Sequence, residues 1–276
     1  MKVIFGSVVY PTALKYLDDF LKSLNEQTDQ QFELLLVNDG IEKETLNAYI
    51  QKYKNLSEKT IVLKADAGQA YYLLRILLLK EAKRREGTIL ILGDCDDFFS
   101  RDRVTSVVSE YKPEMWFFYN EILDFAYKPV MPILPKETKS IYNIAEYNYL
   151  GLSNTAINLD KLSIDFLNSL QEGNTSIFDW YLFSRIVLAG GGGMYLCHGK
   201  SYYRIHEMNL AGIMQNTEDA INKEIRIKLE HYRLLKNYSQ YIEGLLADYS
   251  AGNIEKRISE KCPQKFFWWG LTERRK

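Results

Sequence analysis

The chain has 276 residues, 46% of them apolar and 26% charged, with 35 Lys and Arg against 36 Asp and Glu. That balance excludes a disordered chain and a broadly basic nucleic-acid surface, so no nucleic-acid partner is expected. The three cysteines, Cys95, Cys197 and Cys262, are too scattered for a disulfide framework and suit a reducing compartment.

The amino terminus runs straight into an apolar stretch at 3–10 with no signal-peptide layout, and no apolar run approaches the ~20 residues of a membrane span. A cytoplasmic protein is expected. Residues 3–10 read as a strand, and Pro11 and Thr12 mark a turn. Leu14, Leu17, Phe20, Leu21 and Leu24 then recur at helical spacing to about residue 27. A strand at 32–37 closes on Asn38-Asp39-Gly40, followed by a helix at 43–53, a strand at 60–64, a helix at 69–85 and a strand at 88–92. This alternation predicts an α/β fold with a mainly parallel sheet.

The fourth strand ends in "ILILGDCDDFF" at 89–99, three carboxylates in four residues. If the extended backbone persists, Asp94 and Asp96 point one way and Cys95 the other. Carboxylates sharing a small volume repel unless a cation is supplied, and Mg²⁺ or Mn²⁺ prefers oxygen ligands. Equally, Asp97 or Ser100 could cap a helix starting near Arg101. Ligands of open α/β sheets bind beyond the carboxyl ends of the strands. Tyr10-Pro11-Thr12, Asn38-Asp39-Gly40, Asp66-Ala67-Gly68 and Asp94 to Asp97 all fall there, so four loops are expected to meet in one crevice.

Beyond it come a strand at 115–118, a proline-containing loop at 128–139, a strand at 154–158, a helix at 177–188 stopped by Gly190 to Gly193, a strand at 194–197 and a helical stretch from 218 to about 249. The four glycines follow a helix and precede a strand, the reverse of a phosphate loop, and read as a connector. Cys197, His198 and His206 match no common zinc spacing. Lys80, Lys83, Arg84 and Arg85 make a solvated helix end. The last residues place Phe266, Phe267, Trp268 and Trp269 beside a basic tail, fit either to rest on an anionic membrane surface or to pack on the protein's own body.

In order along the chain stand "YLDDFLKSLNEQT" with "FELLLVNDG", then "GTILILGDCDDFF", "FDWYLFSRIVLAGG" and "YYRIHEMN". Together these blocks resemble family 2 of the glycosyltransferases, with the nucleotide-sugar-binding GT-A fold, over roughly residues 1 to 210. The resemblance implies a Rossmann-like three-layer sandwich over 1–212, with a nucleotide-binding half at 1–100 and an acceptor half at 101–212, and a helical carboxy-terminal extension at 213–276. It departs from the family pattern in "AGQAYYLLRILLLKEAKRREG", where Arg75 stands without a neighbouring Asn, and in Phe178, which occupies the place of a Glu before Asp179.

What the resemblance implies for function is a metal-dependent, inverting transfer of a sugar from a nucleotide diphosphate-sugar, with UDP favoured, to the hydroxyl of a glycan or lipid-linked acceptor in bacterial surface polysaccharide synthesis. Nucleotide contacts would fall on Val9, Tyr10, Pro11, Asp39, Asp66, Gly68, Arg75 and Asp94. A divalent Mn²⁺ or Mg²⁺ would be held by Asp94 and Asp96 with His206. Asp179 would be the general base, and Trp180 would touch the acceptor. Each has a plainer alternative: a turn for Asp39, a helix start for Asp179, core packing for Trp180, a surface histidine for His206. A nucleotidyltransferase or a dehydrogenase would need a Gly-rich loop after the first strand, which "GSVVYPTALKY" lacks. A non-catalytic sugar-nucleotide-binding relative stays open.

Overall fold

The computed structural model describes residues 1–131, 133–204, 218–253 and 268–270. Strand β1 (Val3–Val9) is buried along its whole length and divides its side chains by period two. Ile4 and Val8 face one hydrophobic cluster, and Val3, Phe5 and Val9 the other. Strands β2 (Glu33–Asn38), β3 (Thr60–Lys64) and β4 (Ile89–Leu92) join β1 in parallel, in the order β3-β2-β1-β4. In β4, Leu90 and Leu92 enter the first cluster and Ile89 and Ile91 the second, so the strand is covered on both faces, as its unbroken apolar run requires.

The sheet continues through β8 (Thr155–Asn158), β6 (Phe117–Leu123), β9 (Gly193–Tyr202) and β5 (Phe98–Phe99), while β7 (Glu137–Thr138) pairs with β9. Here it is mixed, because β8 runs antiparallel to both β4 and β6. The strand expected at 194–197 runs on to Tyr202, past a bulge opposite Tyr119 to Glu121. β5 and β7 have two residues each, too short to carry a periodic signal.

Helices cover both faces. α1 (Leu14–Asn25), α2 (Lys43–Gln51), the single turn α3 (Lys54–Ser57) and α5 (Arg103–Ser109) contribute to the second cluster. α4 (Tyr71–Arg84), α6 (Ile164–Ser169), α7 (Phe178–Leu188), α8 (Glu218–Leu235) and α9 (Gln240–Ser250) contribute to the first. The helical stretch expected from 218 to 249 is divided by a 3-10 turn at Lys236–Tyr238. Within it, Tyr232 and Leu235 of α8 and Ile242, Leu245 and Tyr249 of α9 share one core with α7. The Tyr232 hydroxyl donates to the Ala145 carbonyl at 2.9 Å. No helix of the described residues is long and apolar enough to cross a membrane.

Because β1 lies between β2 and β4, the direction of strand addition reverses there, and a crevice opens beyond its carboxyl end.

Candidate active site

A cleft of about 720 Å³ occupies this position, within the size range of small-molecule sites. Tyr10, Pro11 and Thr12 form its rim where β1 passes into a single 3-10 turn. Burial, with the neighbouring Asp96, Cys95 and Asp94, pushes the Tyr10 hydroxyl far above its ordinary range, so it stays protonated and able to donate. After β2, the turn is built by Asn38, whose side chain donates to the Ile41 carbonyl at 2.7 Å and accepts the Ile41 N–H at 2.8 Å, and by Gly40 at φ +91°. Asp39 contributes only its backbone N–H, to Val9 at 2.8 Å. Its carboxylate lines the cleft with no hydrogen bond or ion pair to another described residue. The turn therefore accounts for Asn38 and Gly40 but not for the Asp39 side chain.

The extended backbone does not persist beyond β4. Asp94 to Asp97 form a turn closed by the Asp97 N–H to the Asp94 carbonyl at 3.1 Å, yet Asp94, Asp96 and Asp97 all line the cleft. The Asp94 carboxylate accepts from Arg75 Nη2 at 3.1 Å, and its backbone N–H donates to Ser153 Oγ at 2.9 Å. Burial raises Asp94 above the usual carboxylate range, against the pull of Arg75 and with the help of Asp96. Asp97 is fully buried. Its Oδ1 accepts the Arg204 N–H at 2.9 Å, while Oδ2 has no hydrogen-bond partner. Burial, then Asp96 and Asp94, drive it well upward. Neither Asp97 nor Ser100 caps the next helix, since the Ser100 hydroxyl donates to Asp102 at 2.6 Å and α5 starts after Asp102 without a capping bond.

Arg75 lies on the first turns of α4 with its guanidinium 5.3 Å from the Tyr71 ring centroid. The Tyr71 hydroxyl accepts the Phe178 N–H at 2.9 Å and donates to the Ser176 carbonyl, tying α4 to the start of α7. From the other side, Glu230 of α8 accepts the Ser176 N–H at 3.0 Å. These ties hold Asp179 in the first turn of α7, on the cleft wall, with its Oδ1 accepting the Trp180 N–H at 2.7 Å. Burial raises the Asp179 carboxyl to about 7, with Asp94 adding to the shift and the Trp180 N–H opposing it.

Of the expected site residues, Tyr10, Pro11, Asp39, Arg75, Asp94, Asp96 and Asp179 meet on this one cleft. Four do not. Val9 is fully buried in the second cluster, because the alternation of β1 turns Val8 to the cleft instead. Asp66 and Gly68 are exposed and off the cleft wall, where the loop after β3 turns outward with Gly68 at φ +75°. Trp180 is fully buried, its ring stacked 3.9 Å from His231 and its indole N–H donated to the Ile144 carbonyl at 2.6 Å, so it is a core residue and no acceptor contact. Burial, aided by Lys228, pushes His231 down to about 3, so the stacked pair is neutral. His206 lies outside the described residues.

The cleft also contains Tyr71 and Ser153, which the sequence did not single out, and Tyr203, Trp268 and Trp269, which it did not place in the site. Trp268 and Trp269 are 7% and 8% exposed and so pack on the body, while Phe266, Phe267 and the basic tail lie outside the described residues. The Trp268 carbonyl accepts the Asn148 N–H at 2.6 Å, and its ring lies where a Cβ on Gly151 would come within 2.5 Å. No local pattern carries these contacts. Among the described residues, no group of three or more His, Cys, Asp and Glu side chains is arranged to hold a metal ion.

Residues 7–115 match the family model described as glycosyl transferase family 2, a span that includes Asp39, Arg75, Asp94 and Asp96. No curated protein sequence matches the chain. Among solved structures, S. aureus TarS 1-349 in complex with UDP-GlcNAc is similar at 16% identity with a TM-score of 0.61, over 95% of this chain and 74% of that one. A longer S. aureus TarS chain gives 15% identity and a TM-score of 0.55, and this chain spans 43% of its length. The mannosyltransferase PcManGT from Pyrobaculum calidifontis, in complex with GDP-Man and Mn²⁺, gives 12% identity and a TM-score of 0.55, over 95% of this chain and 76% of that one. The segment 7–115 thus carries a glycosyl transferase family 2 match, and the chain as a whole has the GT-A glycosyltransferase fold.

Proposed function

We propose that this protein transfers a sugar, with inversion, from a nucleotide diphosphate-sugar to a hydroxyl of a glycan or lipid-linked acceptor. The observation that carries the reading is one cleft holding Asp39 at the end of β2, the Arg75–Asp94 pair with Asp96 beyond β4, and Asp179 on α7.

Asp39 supplies an acceptor oxygen for a base N–H, which favours a uracil edge. Tyr10, kept protonated, donates to the nucleotide, and Arg75 orients Asp94 toward the ribose. Asp179, poised near neutrality, takes the proton of the acceptor hydroxyl as that oxygen attacks the anomeric carbon opposite the departing diphosphate. One-sided attack inverts the anomeric configuration.

The donor set fits a divalent ion. Asp94 and Asp96 offer only oxygen, and a hard cation of the Mg²⁺ or Mn²⁺ type takes one or two protein carboxylates and completes its shell with phosphate and water. Asp97, buried behind them with Oδ2 unpartnered, adds a third carboxyl oxygen donor at the same end of the sheet. Asp96, with Asp94, would hold the ion, which shields the charge of the leaving diphosphate when bound.

The test is a donor screen by thermal shift with and without Mn²⁺, followed by release of the nucleotide diphosphate over time, since a ligand of the folded form raises its melting point. Stabilisation followed by release is the expected result. Stabilisation without release would leave a sugar-nucleotide-binding protein, and no response to any nucleotide-sugar would refute the reading.

A further inference from the structure

Beside the cleft lies a second cavity of about 410 Å³ that the reaction above does not use. One side is α1, whose Asp19 and Lys22 at i and i+3 share one helix face, with Glu26 just past the helix end. The other side is aromatic: Phe98 of β5 and Tyr202 of β9 stack with centroids 4.5 Å apart and planes 13° from parallel, and the Tyr127 ring stands edge-on to Tyr202 at 5.5 Å. Phe125 packs edge-on to Phe98 at 5.0 Å.

Two of these rings face water at a cost. Tyr127 is 68% exposed and Phe125 42%. Tyr127 sits at φ +60°, a conformation non-glycine residues rarely adopt. The turn is held by Asp124, whose side chain accepts the N–H groups of Ala126 and Lys128 at 2.8 and 2.9 Å. The turn thus holds the Tyr127 ring in solvent at the edge of the cavity.

The charge around the cavity says what kind. Asp19 and Glu26 are matched by Lys22 and Arg101, two of each sign, which suits neither a phosphate nor a free cation. Aromatic faces beside carboxylate, ammonium and guanidinium groups offer surfaces for the C–H face of a pyranose ring and partners for its hydroxyls. One residue bonds to the walls of both the cavity and the cleft. Arg204 donates its N–H to Asp97 and its Nε–H to the Asp96 carbonyl, each at 2.9 Å. Its Nη2 donates to Asp19 at 2.7 Å, and its guanidinium lies 4.3 Å from the Phe125 ring centroid.

We propose that this cavity, with Tyr127 as its exposed stacking ring beside Tyr202 and Phe98, is a binding subsite for a neutral oligosaccharide, the distal sugars of the acceptor glycan; the identification of the saccharide as acceptor rests on the glycosyltransferase reading. The test is calorimetry of the whole chain against neutral hexose oligomers of one to six residues, with lipid vesicles containing anionic headgroups as a separate arm. Oligomers are expected to bind more tightly with length. Tyr127→Ala should weaken binding about tenfold, with circular dichroism unchanged, and Tyr127→Phe should restore most of the affinity. Asp39→Ala, which damages the nucleotide end of the cleft, should leave oligosaccharide affinity in place. Absence of binding by every oligomer, binding insensitive to Tyr127→Ala, loss of it in Asp39→Ala, or binding only to vesicles would each overturn the proposal. Failure of nucleotide-sugar turnover alone would refute the acceptor assignment and leave the saccharide subsite standing.

Discussion

Arg75 Nη2 lies 3.1 Å from Asp94 Oδ1, joining the first turns of α4 to the loop beyond β4 across the mouth of the sheet. Arg75 is the more buried partner, its side chain 11% exposed against 32% for Asp94. The pair sets the orientation of a carboxylate that burial alone would push toward neutrality.

Arg75→Ala is expected to release Asp94 and leave it unpaired in a partly dry site, at about 1–3 kcal/mol of stability. Nucleotide diphosphate affinity should fall roughly tenfold or more, as read by calorimetry. Arg75→Lys should restore charge without the planar guanidinium that lies over Tyr71, and recover only part of the affinity.

Asp179 ties activity to pH. A base must be unprotonated, so transfer should rise with pH through an apparent pKa of about 7 and level off above it. In Asp179→Asn the rate should be low and flat across the same range, with nucleotide binding retained. A wild-type rate in that variant would remove Asp179 from the chemistry.

The same residue should cost stability. Its folded-state pKa is raised, so between the ordinary value of 3.8 and about 7 the folded form holds the proton more tightly than the unfolded chain. Stability therefore falls as pH rises through that window. Asp179→Asn removes the buried charge and should stabilise the protein at pH 8 by about 2 kcal/mol, on the order of 5 °C, with little effect near pH 4. Thermal melts at the two pH values decide it.

Tyr71→Phe tests positioning rather than chemistry. Removing the hydroxyl leaves the Phe178 N–H and the Ser176 carbonyl without this partner, at about 1–3 kcal/mol. Because that bond anchors the turn bearing Asp179, the transfer rate constant should drop several-fold while nucleotide affinity changes little. Equal loss of both would mean that Tyr71 serves the nucleotide instead.

Gly151→Ala should disturb the carboxy-terminal tryptophans. The added methyl would meet the Trp268 ring at 2.5 Å, with Asn148 holding the Trp268 backbone in place. Quenching of tryptophan fluorescence by acrylamide should increase, and transfer should weaken. An unchanged quenching profile would show that Trp268 does not depend on Gly151 for its place.

The helical spacing of Leu14 to Leu24, the apolar run of β4 and the turn residues at 38–40 are local features. Each was legible in the sequence because period and turn chemistry act over a few residues. They determined an α/β sheet with its polar loops at the carboxyl ends, and hence the cleft with Asp39, Asp94 and Asp96 on it. Which way Trp180 faces, which hydroxyl anchors Asp179, and which tryptophans close the cleft were decided only in three dimensions. Tyr71 reaches Phe178 across 107 positions, and the Asp94 N–H reaches Ser153 across 59. Local spacing carries no record of such contacts, because they join segments far apart in the chain that meet only in the packed structure. That packing also turned Trp180 onto His231, since a helix buried on all sides has no free face on which a sequence pattern could mark the side that meets a ligand.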